Sequence, residues 1–365
     1  MNKLYIRLHL TNVAGLGATQ LMSSLLPSIE ANSDYFVEAI YLPNRGVLST
    51  YKSECLMTAV EVYKRFIPNA ISRVLECVFF AGRFNGKTPL LVFGDLPLFC
   101  NSRQTLFVQT PNLLKPAKFQ LNLDGIKYWI SRLIFRLGAH RVDNFIVQTV
   151  IMREALENSF STVLGRVHVI SQPVPKWLLS SALRRVGRVG REFNALRLIY
   201  PSAGYPHKNH LILSLMDSRA VCPVGELTLT ISEESNPAPH LPWIHCTGIL
   251  STDEIVKFYS QVDALLFLSK EESYGFPLVE AMYVGLPIVC PDLPYARILC
   301  GEDANYFDPD DPESLLYALR MLKDRLDQGW WPNWKNRLSS IPKDWDAVAK
   351  RMLEIASGRF SNLSE

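Results

Sequence analysis

Two glutamates, Glu272 and Glu280, bracket seven residues in the stretch "SKEESYGFPLVEAMYVGLPIV" (269–289). Between them lie Ser273, Tyr274, Gly275, Phe276 and Pro277, with an apolar helix predicted to follow. Gly275 lets the backbone come close to a ligand. Pro277 suits a first helical turn, where its missing N–H costs nothing. Amides around Gly275 and Phe276 then sit at a helix N-terminus, where the dipole favours an anion. One carboxylate can bind hydroxyls at one end of a diphosphate and the other can bind hydroxyls at its far end. Ribose, diphosphate and hexose in that order make a nucleoside diphosphate sugar. The same residues admit a plainer reading, in which Glu280 complements the helix dipole and Glu272 is a solvated loop residue.

Lys208 opens a helix predicted over 207–217, where a cation is disfavoured by the dipole. A bound anion would remove that conflict, and a plain surface lysine is the alternative. Asn209 reads as the N-cap of the same helix. Gly15 and Gly17 follow the first predicted strand in "NVAGLGATQ", but Gln20 stands where a third glycine would complete a dinucleotide fingerprint. They read either as a loop near a ligand or as a tight turn. Asp308 and Asp310 have the D-x-D spacing of a metal site. Pro309 and Pro312 point instead to a turn, with Asp311 as an N-cap. His140, His168, His240 and His245 lack metal-ligand spacing and read as structural. No metal is expected.

These residues need elements to hold them. Apolar runs at 3–10, 35–42, 89–94, 104–110, 144–149 and 166–170 read as strands, with helices at 124–138 and 150–159. A second series follows at 195–202, 226–231, 243–248, 264–269 and 286–290, with helices at 252–260, 277–284 and 312–326. Near-continuous apolar strands alternating with helices argue for parallel sheets covered on both faces. The expected domains are 1–175, a basic glycine-containing linker at 176–194, and 195–343. A C-terminal helix at 344–365 would cross back to the first domain. Ligands of such sheets bind beyond the carboxyl ends of the strands.

The chain has 365 residues, 48% of them hydrophobic and 20% charged, enough for two globular domains. Neither a transmembrane run nor a secretory signal is read from the sequence. Seven cysteines without paired spacing fit reduced thiols and a cytoplasmic protein. Residues 1–195 hold 23 Lys+Arg against 12 Asp+Glu, a charge of +11, and residues 196–365 carry −8. The basic charges are dispersed, which argues against nucleic acid and fits an anionic membrane surface or a phosphorylated acceptor. The helix "IKYWISRLIFRLGAHR" (126–141) either rests on such a membrane or is an ordinary sheet-covering helix. "GWWPNW" (329–334) stacks on sugar rings or, in the plainer reading, packs on the core.

The run from Glu272 to Val289 resembles the E-G-F-G-L-P-V-L-E-A-M-A-x-G-x-P-V-V signature of the retaining glycosyltransferases of family 4. "YPSAGYPHKNH", "HCTGILSTDEIVKFYSQVDALLFLS" and "NYFDPDDPESL" resemble its neighbouring segments, so the likeness spans about residues 196–325. It implies an α/β fold of the GT-B type, two Rossmann-like doubly wound domains facing across a cleft. It implies that Glu280 holds the donor's ribose, Glu272 the transferred sugar, the Gly275 and Phe276 amides and Lys208 the diphosphate. The loop of Gly15 and Gly17 would approach from the other domain. Two positions depart from the pattern. Ala203 stands where the family usually has an arginine. Gln109, with Thr110, stands where it often has a histidine near the reacting sugar.

The expectation is a retaining glycosyltransferase that needs no metal or other cofactor. It would move a hexose from a UDP- or GDP-sugar, its co-substrate, to a hydroxyl of a growing glycan or lipid-linked saccharide. The product would be a bacterial surface polysaccharide. Peripheral contact with the inner membrane face is expected, and nucleic acid is not a partner. A sugar-nucleotide 2-epimerase and a catalytically inactive sugar-nucleotide-binding subunit are the alternatives.

Overall fold

A computed structural model describes residues 3–13, 15–65, 69–114, 123–187 and 194–359. Among them the strands are β1 (Leu4–His9), β2 (Tyr35–Pro43), β3 (Ala59–Tyr63), β4 (Leu90–Phe93), β5 (Gln104–Phe107), β6 (Asn144–Val147), β7 (Val167–Val169), β8 (Leu196–Tyr200), β9 (Val224–Leu229), β10 (Ile244–Cys246), β11 (Ala264–Leu266), β12 (Ile288–Pro291) and β13 (Asn305–Phe307). The helices are α1 (Leu16–Glu30), α2 (Asn69–Val78), α3 (Leu123–Gly138), α4 (Val150–Ser159), α5 (Lys176–Ser181), α6 (Thr252–Gln261), α7 (Phe276–Val284), α8 (Pro294–Cys300), α9 (Pro312–Asp327), α10 (Lys335–Ser339) and α11 (Trp345–Ser357).

The chain divides into two units, Met1–Gln172 with Pro342–Glu365, and Pro173–Ile341. The first contains a parallel sheet in the order β3-β2-β1-β4-β5-β6-β7, and the second one in the order β10-β9-β8-β11-β12-β13. Each order runs outward one way, then returns to the centre and runs outward the other way. The reversal falls between β1 and β4 in the first unit and between β8 and β11 in the second. At such a switch point the crevice beyond the carboxyl ends of the strands is the site a doubly wound sheet offers a ligand.

The central strands are apolar on both faces because helices cover both. Leu90, Val92, Leu106, Phe135 and Phe145 are fully buried in the first unit, and Tyr200, Leu265, Phe267 and Val289 are nearly or wholly so in the second. Burying each such side chain contributes about 1.5–3 kcal/mol. Helix α11 belongs to the first unit. Asp344 caps it by accepting from Ala347 N at 2.8 Å, and Ser357 Oγ lies 3.0 Å from Tyr35 Oη. The segment 176–194 begins with α5, within the second unit, and residues 188–193 lie outside the described residues.

One expected element differs. The span 207–217 is not an α-helix. It is a 3₁₀ turn at Pro206–Lys208, then Asn209 with φ +57°, then a 3₁₀ turn at His210–Leu215. The backbone bonds there run over three residues, from Lys208 N to Tyr205 O and from Ile212 N to Asn209 O. The left-handed Asn209 breaks the ladder. Its side chain does not cap; Nδ2 donates to Pro309 O at 2.9 Å.

Candidate active site

In the second unit the loop after β11 and the loop after β8 lie on either side of the switch point. Parallel pairing of β8 with β11 brings Ala264 opposite Leu198, and the two loops leave the sheet side by side. Three bonds from one to the other, or within one, fix them. Lys270 N donates to His207 O at 2.8 Å, Ser269 Oγ to His207 O at 3.3 Å, and Ser269 Oγ to Glu271 O at 3.0 Å. Tyr295 Oη also donates to Ser269 O.

This arrangement brings Lys208 and Glu272 together, with Nζ 2.5 Å from Oε1 and both side chains largely buried. Lys208 therefore meets no helix dipole of the kind its sequence position suggests. Lys208 closes a short turn instead of opening a helix, and its charge is met by Glu272. Tyr200, buried beneath, donates from Oη to Lys208 O at 2.9 Å. Burial, and then the charge of Glu272, push the Tyr200 hydroxyl well above its ordinary pKa. His210 Nε2 lies 3.0 Å from Ser202 Oγ. Burial, and then the Lys208 charge, push that imidazole down to about 4, so it is neutral at pH 7.

The loop then turns into α7. Gly275 has φ +98°, in the left-handed region that favours glycine, and a Cβ there would lie 3.3 Å from Leu278 Cδ1. Phe276 is the first helical residue, Pro277 the second, and no side chain caps the start. Tyr274 is buried and meets the Phe276 ring edge-on at 5.4 Å, while Ser273, Phe276 and Pro277 are half-buried. Helix α7 is apolar on every side, so it lies inside the unit, and Glu280 is the charged residue it takes with it. Glu280 is 3% exposed, and Tyr259 Oη donates to its Oε2 at 2.8 Å. Burial, and then the carboxylate, push the Tyr259 hydroxyl well above its ordinary pKa, so it remains a donor at neutral pH. Gly285 ends the helix with φ +88°; a Cβ there would come within 2.5 Å of Arg185 O.

The other named residues stand in the first unit. Gln109 N and Thr110 N donate to Asp95 Oδ1 at 2.6 and 3.0 Å, and Thr110 Oγ1 donates to Asp95 Oδ2 at 2.8 Å. Asp95 follows β4, has φ +61°, and holds this loop from the switch-point side. Gly15 precedes α1 with φ −75°, and nothing lies within 4 Å of a Cβ built at Gly15 or Gly17.

Sequence reasoning also passed over a buried polar group at the same edge. Glu76 Oε1 lies 3.0 Å from His9 Nε2 and accepts from Thr11 Oγ1 at 2.6 Å, and Arg65 Nη2 lies 2.6 Å from its Oε2. Burial pushes the Glu76 carboxyl up, but the His9, Thr11 and Arg65 partners more than offset it, so it lies below the ordinary range. Arg65 also donates to Asn12 Oδ1, tying the loop after β1 to this group. No local pattern in the sequence signals these contacts.

The rival motifs resolve toward structure. Asp311 Oδ1 accepts from Glu313 N at 2.9 Å with Pro312 opening α9, and Asp308 Oδ1 accepts from Asp310 N. Among the described residues no group of three His, Cys, Asp or Glu is placed to hold a metal. Trp334 is buried, with Nε1 donating to Leu286 O at 2.9 Å.

Residues 224–324 match the model of the family described as glycosyl transferases group 1. The serotype-specific mannosyltransferase WbdA of Escherichia coli is 27% identical over 108 residues, which are 27% of this chain and 13% of that protein. The O-antigen chain mannosyltransferase RfbU of Salmonella typhimurium is 20% identical over 251 residues, 65% of this chain and 68% of that one. Sucrose-phosphate synthase from Thermosynechococcus elongatus superposes with a TM-score of 0.70 at 14% identity, covering 98% of this chain and 99% of that one. WaaG, a glycosyltransferase involved in lipopolysaccharide biosynthesis, superposes with a TM-score of 0.62 at 13% identity, covering 97% and 100%. The fold is GT-B, with two Rossmann-like domains. The matched family and relatives are glycosyltransferases and support a transferase. Among the described residues no helix is long and apolar enough to cross a membrane.

Proposed function

We propose that this protein is a retaining, metal-independent glycosyltransferase that moves a hexose from a nucleoside diphosphate sugar to a glycan of the O-antigen or lipopolysaccharide type. The observation that carries the reading is the convergence of Lys208, Glu272 and the start of α7 at the switch point of the second unit. Glu272 and Glu280 also lie inside the matched segment 224–324. The named relatives are mannosyltransferases, so mannose is the sugar proposed.

The roles follow from the chemistry. Glu280, oriented by Tyr259, accepts hydrogen bonds from the ribose hydroxyls. The amides of Gly275 and Phe276, at the positive end of α7, face the diphosphate, with Ser273, Tyr274 and Pro277 shaping the turn. Lys208 neutralises the diphosphate as the bond to the anomeric carbon breaks and the electron pair departs with phosphate. Groups held in place beforehand need little reorganisation at that moment. The acceptor oxygen forms the new bond on the face the diphosphate leaves, and the departing phosphate oxygen takes its proton. Gln109 and Thr110 are assigned to the acceptor, and Gly15 and Gly17 to the donor. No step calls for a metal. Ile126, Trp129, Leu133 and Leu137 are exposed along α3 beside Lys127 and Arg136, and this supports peripheral contact with an anionic membrane.

Incubation with GDP-mannose and UDP-hexoses, with and without a chelator, tests the reading. The expected result is slow release of nucleoside diphosphate and free hexose without acceptor, unchanged by the chelator. Epimer formation, or binding with no turnover, contradicts it.

A further inference from the structure

We infer that Glu272 makes this site prefer a nucleoside diphosphate sugar over the bare nucleoside diphosphate by competing with the diphosphate for Lys208; this rests on the donor reading above. Lys208 and Glu272 are 2.5 Å apart, with side chains only 16% and 13% exposed. Among the described residues Glu272 is the anion paired with Lys208, whose ammonium otherwise faces the Phe267 ring at 6.0 Å. The neighbouring cation Lys270 is paired with Asp310, and His210 is neutral. A diphosphate entering here therefore meets a lysine that is already neutralised.

The outcome depends on what the ligand offers Glu272. A sugar nucleotide brings hydroxyl donors for the carboxylate as its diphosphate draws Lys208 away, so both members of the parted pair find partners. A bare nucleoside diphosphate also takes Lys208, but it brings no donor for Glu272. Near neutral pH its terminal phosphate adds negative charge, since the second phosphate ionisation has a pKa near 6. The carboxylate is left partly desolvated and facing an anion. A repulsive element of this kind separates two ligands by weakening one of them. After transfer, Glu272 retakes Lys208 and displaces the nucleoside diphosphate.

The pair does not hold the loops together, so it can be altered. Tyr200 Oη anchors Lys208 O, and His207 O accepts from both Lys270 N and Ser269 Oγ. Removing the carboxylate leaves Lys208 in place and uncompensated.

The test is calorimetric titration of UDP, GDP, UDP-glucose and GDP-mannose into the wild type, Glu272→Gln and Glu272→Ala. The nucleoside diphosphate that binds the wild type should bind both variants about tenfold more tightly, a change of about 1.4 kcal/mol. The advantage of its sugar adduct should shrink by at least the same factor. Unchanged or weaker nucleoside diphosphate binding in a variant that keeps the wild-type unfolding temperature overturns the inference alone. No binding of any of the four ligands to the wild type overturns the donor reading, and the inference with it. Should Glu272→Gln fail to fold, Glu272→Ala carries the same comparison. Should neither fold, the carboxylate is holding the loops and the inference fails.

Discussion

Replacing Tyr259 by Phe removes one oxygen from beneath Glu280. The ring lies wholly inside the second unit and Glu280 as a residue is 3% exposed, so water has little room to take the place of the lost donor on the ring side. The bond is 2.8 Å long and ends on a carboxylate. Hydrogen bonds to charged groups contribute about 1.5–3 kcal/mol. Phenylalanine fills the ring's volume, so little cavity cost adds to that. A loss of about 2 kcal/mol is expected. For a unit of the size of residues 173–341 it lowers the unfolding temperature by roughly 4–8 °C. Scanning calorimetry from pH 6 to 9 is the assay. Tyr259 keeps its proton in the native state throughout, because burial and Glu280 hold its pKa well above 10, and an unfolded tyrosine is also protonated below about pH 10. Native and unfolded states then bind the same proton, so the deficit should be flat across that window. Donor affinity should fall with it, since Glu280 loses a donor that helps to orient it. An unfolding temperature within about 1 °C of the wild type would refute the reasoning, as would a deficit that changes with pH between 6 and 9.

Three further outcomes are expected. Arg65→Met leaves Glu76, which is 0% exposed, without its guanidinium partner and should cost about 3–5 kcal/mol in urea unfolding, with Glu76→Gln in the same chain restoring part of it. His210 has a native pKa of about 4 against 6.5 when unfolded, so as pH falls the unfolded state takes up the proton first; up to roughly 3 kcal/mol of stability is lost between pH 6.5 and 4, and His210→Asn should flatten that slope. Trp129→Ser on the exposed face of α3 should weaken sedimentation with anionic vesicles, and binding by the wild type should fall as salt rises; salt-independent binding would count against a charged surface.

Much of the fold is legible in the sequence because the central strands are buried on both faces. "ALLFLS" and "PLLVFG" leave no doubt about their environment. Strand β3 escapes because its residues are largely exposed at a sheet edge and "AVEVY" lacks an apolar run. Strand β13 escapes because three residues within "NYFDPDD" are too short to show a period. The span 207–217 misleads because "HLILSL" is apolar enough for a helix, while the break comes from a single left-handed Asn209. At the site, glycine and proline mark the turn into α7, and that much is local. The contact of Lys208 with Glu272 is not, because they lie 64 positions apart and their loops meet only through tertiary structure, the β8–β11 pairing and the bonds from Lys270 N and Ser269 Oγ to His207 O. Tyr259 beneath Glu280, and Asp95 beneath the Gln109–Thr110 loop, are hidden for the same reason.

The central claim is that a diphosphate sugar is held between Lys208 with Glu272 on one side and Glu280 on the other, at the start of α7. Calorimetric titration of the preferred nucleotide sugar into Lys208→Ala and Glu280→Ala tests it most directly. Each variant should bind at least about tenfold more weakly than the wild type, the loss of roughly one charge-assisted hydrogen bond or ion pair. Wild-type affinity in both, with unfolding temperatures showing that they are folded, would contradict it.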